Sequence, residues 1–240
     1  MKSLNSISGP RNISTALMYS FAQRDDTIVV DEPFYAVYLK KYNVPHPGQE
    51  EVLTSMENNL EKVIYDLNNL NNKKNKSICF IKNMAHHLMD MPVDFIKSWT
   101  NIFLIRDPHQ ILLSYAKVIQ QPTMQDIGLA RQYELWNWLQ EEGANPVVID
   151  SGDLLKDPPK VLNKLCQMLN IPFEPGMLSW KAGARPEDGI WAKYWYQNVH
   201  RSTGFQKPKK STDSLPQHLE PLYLEAMKYY NFFKPHSIKA

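Results

Sequence analysis

The feature that most constrains the fold is an alternation. Five short runs rich in β-branched and aromatic residues recur along the 240 residues, at 4–8, 27–31, 77–82, 101–105 and 146–150. Segments with apolar residues at helical spacing lie between them. The clearest is 49–70, where Val52, Met56, Leu60, Val63, Ile64, Leu67 and Leu70 share one face. A helix is also predicted over 14–24. Pro108 stands as a first-turn proline, which predicts a helix to about Ile119. Asp157-Pro158-Pro159 opens another, carrying Val161, Leu162, Leu165, Met168 and Leu169, and a last helix is expected over 216–230. Parallel strands need crossover helices, so the alternation specifies an α/β fold: a central parallel sheet flanked by helices. The apolar runs 101–105 and 146–150 suit its buried centre. No internal repeat is present, and the polar run 68–76 is too short for a domain linker, so one domain over 1–240 is expected.

Composition excludes several classes. A net charge of +2 is too small to argue for bulk nucleic-acid binding. No run approaches the 18 apolar residues of a membrane span, so no stable membrane insertion is expected. The N-terminal segment lacks the apolar core of a secretory signal. Cys79 and Cys166, both in apolar contexts, read as buried thiols of a reducing compartment. A cytoplasmic location is therefore expected.

The first strand runs into Gly9-Pro10-Arg11-Asn12-Ile13-Ser14-Thr15 and at once into a helical pattern. Strand, tight turn and helix N-terminus together surround an anion with backbone N–H groups, backed by the helix dipole. Ser14 and Thr15 can cap the helix or donate hydroxyls to phosphate. A plain strand-to-helix turn with a Ser cap would give the same pattern. The loop lacks the Gly-Lys pair that grips a nucleoside triphosphate. A donor with fewer phosphates in line, and no metal, fits better.

This P-R-x-x-S-T loop resembles the 5′-phosphosulfate loop of sulfotransferases that use 3′-phosphoadenosine 5′-phosphosulfate (PAPS), in a P-loop-containing nucleotide-binding fold. Ile13 stands where that family commonly has Gly. The resemblance extends to a second signature, Ile-Phe-Leu-Ile-Arg-Asp-Pro with a Ser eight residues after the Arg: here Arg106, Asp107, Pro108 and Ser114. It implies that Arg106 and Ser114 hold the 3′-phosphate, consistent with the planar fork that Arg offers a phosphate. The tail resembles a bacterial subfamily named after branched-chain aminotransferases, through Asp188-Gly189-Ile190-Trp191-Ala192, Trp195-Tyr196 and Ser202-Thr203-Gly204-Phe205. Sulfotransferases close a loop in this part of the chain over the donor. That implies a lid over 183–212 in which Ser202, Thr203 and Gly204 donate to it and Trp195 could stack on the base.

Transfer of a sulfuryl group needs a base for the acceptor and cations for the leaving phosphate. Glu32, which follows the second strand, is one candidate base, and a Glu before an aromatic serves so in some relatives. His86 or His87 is the other, near the strand end where cytosolic sulfotransferases carry Lys-x-His. Lys82 or Arg11 would stabilise the leaving group. The expected activity is sulfuryl transfer from PAPS, leaving PAP, to a hydroxyl or amine of a small-molecule or lipid-like acceptor, without metal. The alternatives are a P-loop small-molecule kinase and a non-catalytic nucleotide-binding scaffold. Tyr35, Tyr38, Trp191 and Trp195 hint at an aromatic pocket, and the basic segment 207–210 could attract an acidic acceptor.

Overall fold

The computed structural model describes every residue except Pro45, 71–75, Val118 and 208–212. Among the described residues, six parallel strands form one sheet in the order β2-β3-β1-β4-β5-β6. They are β1 (Lys2–Ser8), β2 (Thr27–Asp31), β3 (Ile78–Met84), β4 (Thr100–Ile105), β5 (Val147–Asp150) and β6 (Ser237–Ile238). The first five occupy the runs expected from the sequence. The two-residue β6 pairs with β5 at the sheet edge and was too short to carry a period.

Successive strand residues point to opposite faces, so each central strand feeds two cores. On β4, Phe103 and Ile105 enter one cluster with Ile7, Ile81 and Trp136. Ile102 and Leu104 enter the other with Leu4, Leu17 and Leu162. Helices cover both faces, as the apolar strands require. A ladder of buried amides crosses the sheet centre. Asn83 Nδ2 donates to Asn5 Oδ1 at 2.7 Å, and Asn5 Nδ2 to Asn101 Oδ1 at 2.8 Å.

Helix α1 (Ser14–Phe21) follows β1, and α2 (Tyr35–Tyr42) follows β2. The segment 49–70 is two helices, Gln49–Ser55 and Leu60–Asn68, rather than one. Met56 is extended, and Asn59 caps the second helix by accepting from the Lys62 amide. The two pieces enter different cores: Val52 packs with Tyr35 and Trp191, and Val63 and Leu67 with Val37 and Ile81. Helix Pro108–Tyr115 begins with Pro108 behind an Asp107 cap and ends earlier than expected; Val118 lies outside the described residues. Asp157 caps Pro158–Met168 in the same way. The last long helix is Glu220–Phe233. Helix Leu129–Glu141 was not expected from the sequence. Its buried Gln132 donates to Ile7 O at 2.9 Å and Leu104 O at 3.2 Å, tying together the ends of β1 and β4.

Candidate active site

Parallel sheets gather their loops at the carboxyl ends of the strands, and ligands sit where strand order reverses. Here β1 lies between β3 and β4, and the ends of β1 to β4 open on one cavity of about 450 Å³. It is lined by 10–15, Glu32, Lys82, His86, His87, Arg106, Ser114, Ser202 and Gly204. Sequence reasoning thus selected residues far apart in the chain that meet in space. Gly9 and Thr203 do not line the cavity. Gly9 is small for a packing reason: a Cβ there would lie 2.1 Å from Ile127 O.

One end of the cavity is built for an anion. Helix α1 has no side-chain cap, so its first N–H groups and the Ser14 and Thr15 hydroxyls remain free. Arg11 adopts a left-handed backbone (φ 54°) and donates from Nε to Ser114 Oγ at 3.0 Å. Arg106 donates from Nη1 to the Arg11 carbonyl. Burial, then the neighbouring Arg11 charge, pulls Arg106 below the usual guanidinium value; burial does the same to Arg11. Among the described residues no carboxylate pairs with either guanidinium. Asp107 and Asp150 act on Arg106 only at a distance, so two part-buried cations without a direct ion pair are what an oxyanion would relieve. Asn12 is structural, donating to Leu104 O at 2.8 Å.

The other end holds a buried charge network. Glu32 sits in a left-handed turn (φ 44°) fixed by its N–H to Lys82 O at 2.8 Å. Lys82 Nζ donates to Glu32 Oε1, to Asp31 Oδ1 at 2.8 Å and to Tyr196 OH at 2.6 Å. The Tyr196 hydroxyl in turn donates to Asp31 Oδ2 at 2.8 Å. Burial pushes Glu32 above the usual carboxylate range; Lys82 opposes this and Asp31 adds to it. Burial works against the Lys82 charge, but Asp31 and Glu32 override it and hold the ammonium. A carboxylate raised in this way is a stronger proton acceptor than a free one.

The histidines form a wall beside Glu32. His87 Nδ1 lies 3.8 Å from Glu32 Oε2 and its ring stacks on Tyr35 at 4.6 Å. Burial, with His46 nearby, drives His86 down to about 3, and burial with the charges of His86, His46 and Lys82 holds His87 well below its ordinary value. Both imidazoles are therefore neutral, and their buried Nδ1 atoms have no hydrogen-bond partner among the described residues. Tyr35 also lines the cavity, with Trp191 and the half-buried Trp195.

The segment expected as a lid covers the cavity with Trp191, Trp195, Tyr196, Val199, Ser202 and Gly204–Gln206. Ser202 Oγ is already engaged, donating to Val199 O at 2.7 Å and accepting from Trp180 Nε1 at 3.2 Å. The exposed Thr203 gives its carbonyl to the Trp180 amide at 3.0 Å. A Cβ on Gly204 would lie 2.8 Å from Leu178 O, which accounts for the glycine. Most of the basic segment 207–210 lies outside the described residues. Sequence reasoning missed Asp31 and gave Tyr196 no role. The available signal was an Asp beside Glu32 at a strand end, in register with Lys82 on the neighbouring strand. Among the described residues no cluster of three His, Cys, Asp or Glu side chains is arranged to hold a metal ion. No helix among them is long and apolar enough to cross a membrane.

Comparison with known proteins adds a family. The sulfotransferase domain family matches residues 1–237. The chain belongs to the sulfotransferase domain family. The fold of this sulfotransferase domain is shared by two solved structures. One is the sulfotransferase domain from the Synechococcus PCC 7002 olefin synthase, with a TM-score of 0.62, 15% identity, and 98% and 94% of the two chains covered. The other is the sulfotransferase domain from the curacin biosynthetic pathway, with a TM-score of 0.59, 15% identity and 98% of each chain covered. Two Arabidopsis thaliana proteins are more similar in sequence. Branched-chain-amino-acid aminotransferase-like protein 1 is 42% identical over 97% of this chain, and protein 2 is 38% identical over 98%. The sulfotransferase domain spans only 42% of the length of each.

Proposed function

We propose that this sulfotransferase uses PAPS and transfers its sulfuryl group to a hydroxyl or amine of a small or lipid-like molecule. The observation that carries this reading is the charge layout of the cavity. Arginines with no direct ion pair, and helix N–H groups with no partner among the described residues, occupy one end, and a buried carboxylate–lysine network the other. The anion end fits a donor with two phosphate groups. The 10–15 loop, Arg11, Ser14 and Thr15 would hold the 5′-phosphosulfate, and Arg106 with Ser114 the 3′-phosphate. When bound, PAPS supplies an activated sulfuryl group and leaves as PAP.

The protein's part is positional and electrostatic. Glu32 Oε2, the oxygen not bonded to Lys82, accepts the proton of the acceptor. Arg11 faces the negative charge that grows on the leaving phosphate, whereas the three donors of Lys82, the other residue expected there, are taken by Asp31, Glu32 and Tyr196. Residues 191–206 exclude water from the cavity. The aminotransferase in the relatives' names is not part of this proposal, since the chain spans less than half of those proteins.

The test is PAP release from PAPS in the presence of a mixed pool of alcohols and amines. The proposal expects release that depends on an acceptor and is lost in Glu32→Gln. Release that is independent of any acceptor, or transfer that requires ATP with magnesium instead, overturns it.

A further inference from the structure

The carboxylate of Asp31 has a part in the site that the reaction does not assign to it. It is 7% exposed and receives three donors: Lys82 Nζ at 2.8 Å, Tyr196 OH at 2.8 Å and the Gly189 amide at 3.1 Å. The first belongs to the sheet. The other two belong to the cover, at the two ends of a short segment, 189–196. Tyr196 OH is itself shared: it accepts from Lys82, lies 3.4 Å from Glu32 Oε1, and accepts from Trp191 Nε1 at 3.3 Å. A buried acceptor that loses two of three donors is costly, so lifting this segment would leave Asp31 and Lys82 both underserved. The cover is also seated by packing, since Trp191, Ala192 and Tyr196 share a core with Tyr35, Tyr38 and Leu39 of α2.

We propose that Asp31 and Tyr196 form a positioning pair that holds the Lys82 ammonium on Glu32 only while segment 189–196 is seated. The inference rests on the reading of Glu32 as the base. Asp31 does not touch the acceptor; it acts through Lys82 and Tyr196. The cover thereby does more than exclude water, because its docking completes the hydrogen bonding of the base.

The groups that face Glu32 are Lys82 and Asp31, Tyr196 from the cover, and His87 and Tyr35 on the aromatic wall. Two of them can be removed singly. The Asp31 charge disfavours ionisation of Glu32, and the Tyr196 hydroxyl favours it. If Asp31 positions Lys82, Asp31→Asn also loosens the ammonium, whose influence on Glu32 is the larger of the two. The midpoint at which the Glu32 carboxyl titrates therefore rises in Asp31→Asn as it does in Tyr196→Phe; loss of the Asp31 charge alone would lower it.

The experiment uses the full chain and these two variants, with three readouts. The Glu32 carboxyl is titrated by carbon-13 NMR. Amide hydrogen exchange is followed in 189–200 and in β1 and β4. PAP binding is measured by calorimetry. The proposal expects the midpoint to rise in both variants, loss of about tenfold protection in 189–200 in both, and unchanged protection in the strands; a midpoint that falls in Asp31→Asn overturns it. PAP affinity stays within about twofold, because the anion end is untouched. An unmoved midpoint, or unchanged protection of the cover, overturns the proposal. Wild-type protein that fails to bind PAP overturns the donor reading instead, while the other two readouts still decide this one. If Asp31→Asn does not fold, Tyr196→Phe carries the same two measurements.

Discussion

Arg106 and Arg11 lie together with no carboxylate paired to either among the described residues, and that arrangement sets the behaviour of single residues. Arg106→Ala removes one fork of donors from a phosphate and keeps the strand that carries it. PAP affinity should fall by about 10- to 100-fold, the worth of charge-assisted bonds, with an unchanged melting temperature. Calorimetry beside thermal unfolding checks this; undiminished binding would remove Arg106 from the donor site. Glu32→Gln keeps the shape and removes the base. Turnover should drop by about 10² to 10⁴ with PAP binding preserved. In wild type, turnover needs ionised Glu32, whose pKa burial raises. Activity should therefore be lost on acidification already above the ordinary carboxylate range, and a kcat profile over pH tests it. If Glu32→Gln keeps full activity, the base lies elsewhere. Arg106, Ser114 and Glu32 were legible because each follows a strand in a recognisable spacing. Asp31 and Tyr196 were not. Their roles come from a contact across 165 positions of sequence, which no local pattern records.

Among elements, the sheet centre carries an unusual load. Asn5 bridges Asn83 and Asn101, each fully or nearly fully buried. Asn5→Ala would leave two buried amides with an unmet bond and a small void. We expect a loss of about 2–4 kcal/mol in urea unfolding, whereas a surface substitution costs far less. A loss below about 0.5 kcal/mol would mean that the ladder adds little. Strands β1 to β5 were legible from their β-branched runs, and the capped helices from Asp107-Pro108 and Asp157-Pro158. The split of 49–70 was not, because apolar periodicity does not record that two short helices bury their apolar residues in separate cores. Helix Leu129–Glu141 escaped because its inward side includes Gln132, a polar residue buried for its bonds to two strand carbonyls.

At the scale of the molecule, the cavity floor makes stability depend on pH. His86 and His87 are buried uncharged, His86 with its pKa driven down to about 3. Their folded values lie below the unfolded value, so the stability they confer is complete above about pH 6.5 and is lost as pH falls toward the folded values. Unfolding free energy should decline by about 1.4 kcal/mol per pH unit for each histidine that must take up a proton. The raised Glu32 works in the opposite sense and only above the ordinary carboxylate value. Urea unfolding at pH 7 and pH 5 measures the slope, and His86→Gln should make it shallower; an identical slope would contradict this account of the wall. The account as a whole turns on what the cavity holds. The most direct test is calorimetric titration with PAP, beside ATP with magnesium. The account predicts PAP binding that is independent of magnesium and much tighter than ATP binding. Preference for magnesium-bound ATP, or no binding of PAP, would contradict it.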